Sequence, residues 1–231
     1  MTTILGTKRG GGSTASGSAL SATQEEEDTN KRQETEGKNI LLLTERSGLY
    51  EYDVNDEIQR LIQTCVDTIQ DELEVKPEIL VFGRKCRQQR CVGFYSNTSR
   101  GYEYSHRVMA SKPLHPCLQQ LLDFMNSKFN YNYNGILINK YIGGEDYISA
   151  HSDDESGLDS LVGVVAISYG AVRTFRIRNK HNGKIVINVP TNSAKILQMA
   201  GDFQKEFTHE IPVEKKITGT RFSFTFRRHL T

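Results

Sequence analysis

Two histidines and one aspartate have the residue types and spacing of a metal site. His151 and Asp153 are two residues apart, so on an extended backbone both side chains project to the same face and can bind one ion. So short a motif also arises by chance, and a histidine beside an aspartate is commonly a plain surface pair. His209 lies further along the chain, after a strand-like run. The three together match the triad that binds one face of iron(II) and leaves positions open for a co-substrate and oxygen.

A strictly alternating segment supports this interpretation. Residues 221–227 carry polar side chains on one face and aromatic side chains on the other, which predicts a strand with one packed face. The polar face, which would line either a ligand cavity or solvent, consists of Arg221, Ser223, Thr225 and Arg227. A zinc site could use the same three ligands, but it would not explain the arginines. A site for 2-oxoglutarate would explain them, because the remote carboxylate of this molecule needs a bidentate guanidinium partner.

Composition predicts an ordinary globular protein. The chain has 231 residues, a formal net charge of +1, 37% hydrophobic residues and 25% charged residues. No run approaches the roughly 20 apolar residues of a bilayer span, and the first residues do not resemble a signal peptide. The four cysteines lack zinc-finger and C-x-x-C spacing, so we expect free thiols. A soluble monomer of the nucleus or cytoplasm, with no membrane partner, is the expectation.

The elements that must position these residues follow a polar segment. Residues 1–38 are nearly devoid of apolar side chains, which predicts a disordered acidic and Gly/Ser-rich tail before one folded domain over residues 39–231. Apolar spacings of three and four predict helices over 55–73 and from Pro116 to Phe129. Short β-like segments follow at 135–141, 162–169, 174–178, 184–189, 194–199 and 221–227. This order predicts a mostly β protein with helices packed outside a β-sandwich or jelly roll.

Four motifs, in this order, resemble the AlkB family of iron(II)- and 2-oxoglutarate-dependent nucleic-acid demethylases. They are Asn139-Lys140-Tyr141, His151-Ser152-Asp153, His209 and Arg221-Phe222-Ser223-Phe224-Thr225-Phe226-Arg227. The family pattern is N-x-Y, H-x-D, a distal His and R-x-N-x-T-x-R, so Ser223 stands in place of an asparagine and is shorter. The resemblance runs over about residues 77–230, and four ordered motifs are far more specific than any one of them.

The resemblance implies a fold and a metal. The fold would be a double-stranded β-helix, or jelly roll, over about residues 134–230, with a nucleotide-recognition lid at about residues 80–110. His151, Asp153 and His209 would bind Fe(II), and both 2-oxoglutarate and O2 would be co-substrates.

It also implies roles for the residues around the metal. Arg221 would pair with the remote carboxylate of 2-oxoglutarate, and Arg227 would lie near its metal-bound end. The expected co-substrate contacts are Asn139, Tyr141, Arg221, Ser223, Thr225 and Arg227.

The activity implied is oxidative demethylation of N-alkylated bases in DNA or RNA, with release of formaldehyde, succinate and CO2. Expected substrate contacts are Tyr95, Tyr102, Tyr104, Asp154, Glu155, Arg84 and Arg87. Aromatic faces stack on bases, typically contributing roughly 1–3 kcal/mol each, carboxylates accept from exocyclic amines, and cations contact phosphates. The alternatives are that the tyrosines, Tyr104 above all, pack a core, that the carboxylates cap a turn or tune Arg227, and that the basic runs at 84–90 and 173–180 are solvated faces.

Two other functions fit the same residues. An oxygenase with this site could act on a protein side chain or a small molecule. A jelly roll that binds nucleic acid without turnover would use His151 and His209 as ordinary polar residues. Sequence favours catalysis, because the full ligand set and both arginines are present.

Overall fold

The structure, a computed structural model, describes residues 37–81, 83–99, 101–104 and 107–230. The tail expected at residues 1–38 therefore lies almost entirely outside the described residues. From Asn39 onward the chain forms one unit.

Helix α1 (Asp56–Ile69) begins where the sequence provides a cap. The side-chain oxygen of Asn55 accepts a hydrogen bond from the amide of Ile58 at 3.0 Å, which satisfies one of the free N–H groups of the first turn. The helix ends earlier than the predicted range of 55–73. Leu73 is buried but lies in the following turn, so the apolar spacing continues beyond the last helical residue.

Helix α2 (Pro116–Phe129) begins with a proline, as predicted, and is followed by Asn130 in the left-handed conformation at φ +50°. A third, short helix, α3 (Phe203–Glu206), lies near the carboxyl terminus. Within the described part of the chain, no helix has both the length and the apolar character that crossing a bilayer requires.

Strands make up most of the remaining structure. The described strands are β1 (Lys38–Leu43), β2 (Ser47–Asp53), β3 (Glu78–Val81), β4 (Arg84–Arg87), β5 (Cys91–Tyr95), β6 (Gly101–Tyr104), β7 (Arg107–Ala110), β8 (Gly135–Tyr141), β9 (Ile148–His151), β10 (Val164–Gly170), β11 (Thr174–Asn179), β12 (Ile185–Pro190), β13 (Lys195–Gly201), β14 (Phe207–Ile211) and β15 (Arg221–Arg227). All six β-like segments of the sequence are strands.

These strands form two main sheets. The larger has the order β1-β2-β13-β10-β15-β8-β5, and the smaller has the order β12-β11-β14-β9. The strand pairs between residues 135 and 227 are antiparallel, and neighbours in space are often distant in sequence, as in a double-stranded β-helix.

The layers follow from two apolar clusters. Ile62 of α1 and Leu121 of α2 belong to the same buried apolar cluster as Phe224 of β15, so both helices cover the outer face of the larger sheet. Leu197 of β13 and Ile177 of β11 belong to a second cluster, which lies between the two sheets. The fold is mostly β with helices outside a jelly roll, which confirms the predicted fold class.

Strands outside the six predicted segments change the expected order of elements. β1 and β2 precede α1 and extend the larger sheet, and β3 to β7 lie between the two long helices. The predicted lid range of about 80–110 includes β5, which is the edge strand of the larger sheet. The rest of that range forms the hairpins β3–β4 and β6–β7, and residues 82, 100, 105 and 106 lie outside the description.

The packing of α2 on the larger sheet predicts a stability difference between two chemically identical substitutions. Leu121 is fully buried, whereas Leu161 is 91% exposed. We expect Leu121→Ala to lower the free energy of unfolding by about 2–5 kcal/mol, because a buried cavity forms. Leu161→Ala should change it by no more than about 0.5 kcal/mol. Urea unfolding of both variants measures the difference, and equal effects would contradict the described core.

Candidate active site

Pairing of β9 with β14 brings two histidines of the predicted metal site together. His151 and His209 are directly opposite each other across the antiparallel pair, with ring centroids 4.4 Å apart. Asp153 lies two residues beyond His151. Its Oδ1 is 3.8 Å from Nε2 of His151, and its Oδ2 is 3.8 Å from Nε2 of His209. One ligand atom from each residue lies within 4.8 Å of the other two. The arrangement can hold one metal ion.

Neighbouring groups orient these ligands. Nδ1 of His151 is 2.9 Å from the carbonyl oxygen of Ser149, which leaves Nε2 to face the other ligands when Nδ1 carries the proton. The backbone amide of Asp153 donates to Oε1 of Gln204 at 2.9 Å, and Arg227 donates to Oδ1 of Asp153 at 2.5 Å. Oδ2 of Asp153 is buried and accepts no hydrogen bond from the described residues, so it is available to a cation.

The electrostatics of the site suit a divalent cation. Burial lowers the pKa of His209 to about 3, with a further contribution from His151, and burial also lowers the pKa of His151. Burial alone would raise the pKa of Asp153, but Arg227 and the two histidines together hold it below its usual range. At neutral pH the site therefore offers two neutral imidazoles and one carboxylate, as metal binding requires.

A pocket between the sheets extends from these ligands to the polar face of β15. Its lining includes all of the predicted co-substrate residues, namely Asn139, Tyr141, Arg221, Ser223, Thr225 and Arg227. The aromatic face of β15 packs on the helix side, so every residue of this strand is buried. The alternating sequence allowed the polar face to line either a ligand cavity or solvent. In the structure it lines a cavity.

Arg221 is held at the pocket wall by neutral groups. Its Nε donates to the hydroxyl of Thr191 at 3.1 Å, and its Nη2 donates to the hydroxyl of Ser168 at 2.8 Å. The guanidinium carbon lies 5.2 Å from the centre of the Tyr141 ring. Nη1 is buried and has no hydrogen-bond partner among the described residues. A buried cation with an open donor fits a carboxylate ligand.

Arg90 also lines this pocket, although it was not singled out from the sequence. Its Nε donates to Oδ1 of Asn139 at 2.8 Å, and its side chain is buried. In the sequence it is the last member of a basic run at residues 84–90, and nothing local distinguishes it from exposed Arg84 and Arg87. Only pairing of β5 with β8 places it beside Asn139.

Two of the predicted substrate residues lie next to each other near the metal ligands. The hydroxyl of Tyr102 donates to Oε1 of Glu155 at 2.7 Å. The guanidinium carbon of Arg227 is 5.2 Å from the centre of the Tyr102 ring. Glu155 is two residues beyond Asp153, and burial raises its pKa. Its Oε2 atom is buried and accepts no hydrogen bond from the described residues.

Four of the other predicted substrate residues, Tyr95, Asp154, Arg84 and Arg87, do not line this pocket. Tyr95 is fully buried in the helix-facing core, where its hydroxyl donates to Glu72 at 3.0 Å, so its position contradicts the predicted stacking on a base. Asp154 is exposed and pairs with Lys180 at 2.6 Å. Arg84 and Arg87 are exposed on β4, and the side chain of Tyr104 lies outside the description.

The three predicted metal ligands generate a prediction about metal affinity in the Asp153→Asn variant. Asp153→Asn keeps the shape of the side chain but removes the anionic ligand, so we expect divalent-metal affinity to fall by more than about 100-fold, beyond the usual effect of losing an orienting partner. Asp154→Asn, one residue away and exposed, should leave it unchanged. Calorimetric titration of the metal-free protein with Mn(II) measures both, and equal affinities would refute the assigned ligand.

A second prediction concerns pH and His229. This histidine packs 4.7 Å from Phe94 and 6.0 Å from Tyr102 between ring centroids, and burial, with Arg227, lowers its pKa from 6.5 to about 4. The unfolded chain therefore takes up this proton at higher pH than the folded chain. The contribution to stability is complete above pH 6.5 and is lost as pH falls towards 4, by up to about 1.4 kcal/mol per pH unit.

The metal-free protein and its His229→Phe variant test this linkage. Urea unfolding between pH 7 and 4 should give a shallower pH dependence for the variant, because phenylalanine does not titrate. Parallel curves would show that His229 does not titrate differently in the folded and unfolded chains.

Comparison with known proteins agrees with this geometry. The model of the 2OG-Fe(II) oxygenase superfamily matches residues 54–227. DNA oxidative demethylase ALKBH2 of Homo sapiens is 30% identical over 179 residues, which cover 71% of this chain and 69% of that protein. Alpha-ketoglutarate-dependent dioxygenase alkB homolog 3 of Homo sapiens is 30% identical over 150 residues, which cover 61% and 52%.

A solved structure, that of OsALKBH1, has a similar fold. It superposes with a TM-score of 0.56 at 14% sequence identity and covers 81% of this chain and 100% of its own. At that identity the likeness concerns the fold alone. The matched family model, the two human relatives and the convergence of His151, Asp153 and His209 lead to one conclusion. The chain belongs to the 2OG-Fe(II) oxygenase superfamily and, within it, to the AlkB family of iron(II)- and 2-oxoglutarate-dependent dioxygenases.

Proposed function

We propose that this chain oxidatively demethylates N-alkylated bases in DNA or RNA. The observation that carries the proposal is the hydrogen-bonded pair formed by buried Tyr102 and half-buried Glu155, which stands beside the proposed metal ligand Asp153. A site for a base next to a site for a metal is what such a reaction requires. The names of the relatives, a DNA oxidative demethylase and an alkB homolog, support the same activity.

The residues around the metal take the following roles in this proposal. Fe(II) is held by His151, Asp153 and His209. Arg227 keeps Asp153 ionised, and its hydrogen bond to Oδ1 leaves Oδ2 for the metal. Arg221 receives the remote carboxylate of 2-oxoglutarate through its open Nη1 donor. The remaining co-substrate contacts are Asn139, Tyr141, Ser223 and Thr225, with Arg227 near the metal-bound end. Ser223 supplies a hydroxyl where the family has an amide, so its reach is shorter.

The protein supplies orientation and a dry cavity, and the bound cofactors supply the oxidant. Iron(II), 2-oxoglutarate and O2 together provide the oxidation of the methyl group, which then leaves as formaldehyde while the co-substrate becomes succinate and CO2. Burial keeps His151 and His209 neutral, Arg227 keeps Asp153 ionised, and the two sheets pack around the pocket and exclude water.

Base recognition falls to Glu155 in this proposal. Its Oε2 has no partner among the described residues, and a carboxyl group there can hydrogen-bond the exocyclic amine of adenine or cytosine. Asp154, the other candidate, is exposed and already paired with Lys180. A base within duplex would first be extruded, which costs a few kcal/mol. Tyr104, Arg84 and Arg87 stay as predicted contacts to bases and phosphates at the two hairpins.

The finer expectations about the whole protein are part of the same proposal. We expect the chain to act as a monomer, since one copy can supply all three metal ligands and the pocket arginines Arg90, Arg221 and Arg227. It acts on nucleic acid in the nucleus or cytoplasm and does not engage a membrane. Residues 39–231 form the oxygenase domain, the lid comprises the hairpins within about residues 80–110, and residues 1–38 form the tail.

Mass spectrometry of a panel of methylated DNA and RNA oligonucleotides tests the activity. After incubation with the full chain, iron, 2-oxoglutarate and ascorbate, we expect loss of methyl groups from ring nitrogens of adenine or cytosine. The Asp153→Asn variant is the matched inactive control. Succinate release that no oligonucleotide stimulates would instead favour a protein or small-molecule substrate, and absence of succinate would favour a non-catalytic binding module.

The Tyr102–Glu155 hydrogen bond generates a prediction with an internal control. Tyr102→Phe keeps the ring but removes the donor to Glu155, so we expect the KM for methylated oligonucleotide to rise about 10-fold or more. Tyr95→Phe removes a similar hydrogen bond to Glu72 in the helix-facing core and should leave that KM unchanged. Steady-state formaldehyde release measures both. The recognition role of Glu155 is wrong if the two variants behave alike.

A further inference from the structure

Arg173 is buried more completely than a basic residue in a charged run should be. In the sequence it opens the second basic run, at residues 173–180, yet its side chain is fully buried. Its Nε donates to Oε2 of Glu214 at 2.9 Å, and its Nη1 donates to the carbonyl oxygen of Gly143 at 2.9 Å. Its Nη2 donates to the carbonyl oxygens of Asp146 and Pro212, at 2.9 and 2.6 Å, and more distantly to that of Gly144 at 3.5 Å. Such a full set of acceptors indicates a structural clamp and excludes a phosphate contact.

The clamp joins the two loops that flank the metal-ligand strands. Residues 142–147 lead into β9, which ends at His151, and residues 212–217 follow β14, which contains His209. The loops also bond directly, because the amide of Glu214 donates to the carbonyl oxygen of Gly144 at 2.8 Å. A side chain at Gly144 would collide with the carbonyl oxygen of Glu214, so the two loops can lie this close only because residue 144 is a glycine.

One hydroxyl connects this clamp to Arg221. The hydroxyl of Thr191 donates to the carbonyl oxygen of Arg173 at 2.9 Å and accepts from the amide of Arg173 at 3.1 Å. The same oxygen accepts from Nε of Arg221 at 3.1 Å. Because a hydroxyl has one proton to donate, its donation to Arg173 turns the oxygen lone pairs towards Arg221.

We propose that Arg173 is a positioning residue for the co-substrate: its clamped side chain holds its main chain in place, the main-chain amide and carbonyl fix the Thr191 hydroxyl, and that hydroxyl orients the Arg221 guanidinium towards the remote carboxylate. The inference rests on the proposed role of Arg221. It does not depend on the nucleic-acid substrate.

The charges at this end of the pocket agree with that role. The guanidinium carbons of Arg173 and Arg221 lie 5.9 and 5.2 Å from the centre of the same Tyr141 ring. Glu214 neutralises Arg173, whereas Arg221 forms no ion pair with any described carboxylate. The clamp therefore restrains Arg221 without pairing it with a carboxylate, so its positive charge is available to the dianionic co-substrate.

Calorimetric titration of 2-oxoglutarate into the full chain loaded with Mn(II), without nucleic acid, tests the relay. Thr191→Val removes the bridging hydroxyl at nearly constant volume, and we expect the Kd for 2-oxoglutarate to rise about 10- to 100-fold, as for loss of a hydrogen bond to a charged group. Thr191→Ser retains the hydroxyl and should bind within about threefold of the wild type. The Kd for Mn(II) should be unchanged in both, which a general loss of structure would not give.

Two arginine variants extend the test to the clamp itself. A lysine at position 173 cannot reach five acceptors as the planar guanidinium does, so for Arg173→Lys we expect at least a tenfold rise in the Kd for 2-oxoglutarate. Arg176→Lys, whose surface guanidinium pairs with Glu210, should leave that Kd unchanged. If Arg173→Lys does not fold, the Thr191 pair alone decides.

The outcomes separate the relay from the role of Arg221. Wild-type affinity in Thr191→Val, or equal weakening in Thr191→Val and Thr191→Ser, overturns the relay. Unchanged affinity in Arg221→Ala would show instead that Arg221 does not bind the co-substrate, which removes the basis of both proposals.

Discussion

The antiparallel pairing of β9 with β14 is the constraint on which the site depends. It places His151 opposite His209, although the two histidines are 58 positions apart in the chain. Asp153 follows closely enough to complete the set. A slip of one residue in this pair would turn one histidine to the other face of the smaller sheet, and the metal site would be lost. The apolar cluster between the two sheets stabilises that register.

Burial of charge is the second feature that unites the structure. Asp153, Arg221 and Arg227 are all nearly inaccessible, and an unpaired buried charge is strongly destabilising. Arg227 compensates Asp153 directly, whereas Arg221 contacts the hydroxyls of Thr191 and Ser168 and the ring of Tyr141 and forms no ion pair with a described carboxylate. Oδ2 of Asp153 and Nη1 of Arg221 have no hydrogen-bond partner among the described residues, so the pocket fits a cation at the Asp153 end and an anion at the Arg221 end. A metal chelated by a dicarboxylate supplies both, as expected for the family.

The sequence predicted those parts of the site that depend on local periodicity. A period of two places Arg221 and Arg227 on one face, and a spacing of two does the same for His151 and Asp153. Burial depends instead on contacts between distant segments, so Tyr95 was expected at a base and lies in the core. The burial of Arg90 and Arg173, which both belong to basic runs of the sequence, was not predicted for the same reason. Strands β3 to β7 escaped prediction because they are short, and β4 is wholly exposed.

Diffraction from crystals grown without oxygen, with Fe(II) and 2-oxoglutarate, tests the central claim most directly. Anomalous scattering at the iron edge should give one strong peak between the two histidines and Asp153, with the remote carboxylate of the co-substrate paired to Arg221. An iron peak away from the β9–β14 pair, or a co-substrate whose remote carboxylate faces away from Arg221, would contradict the account.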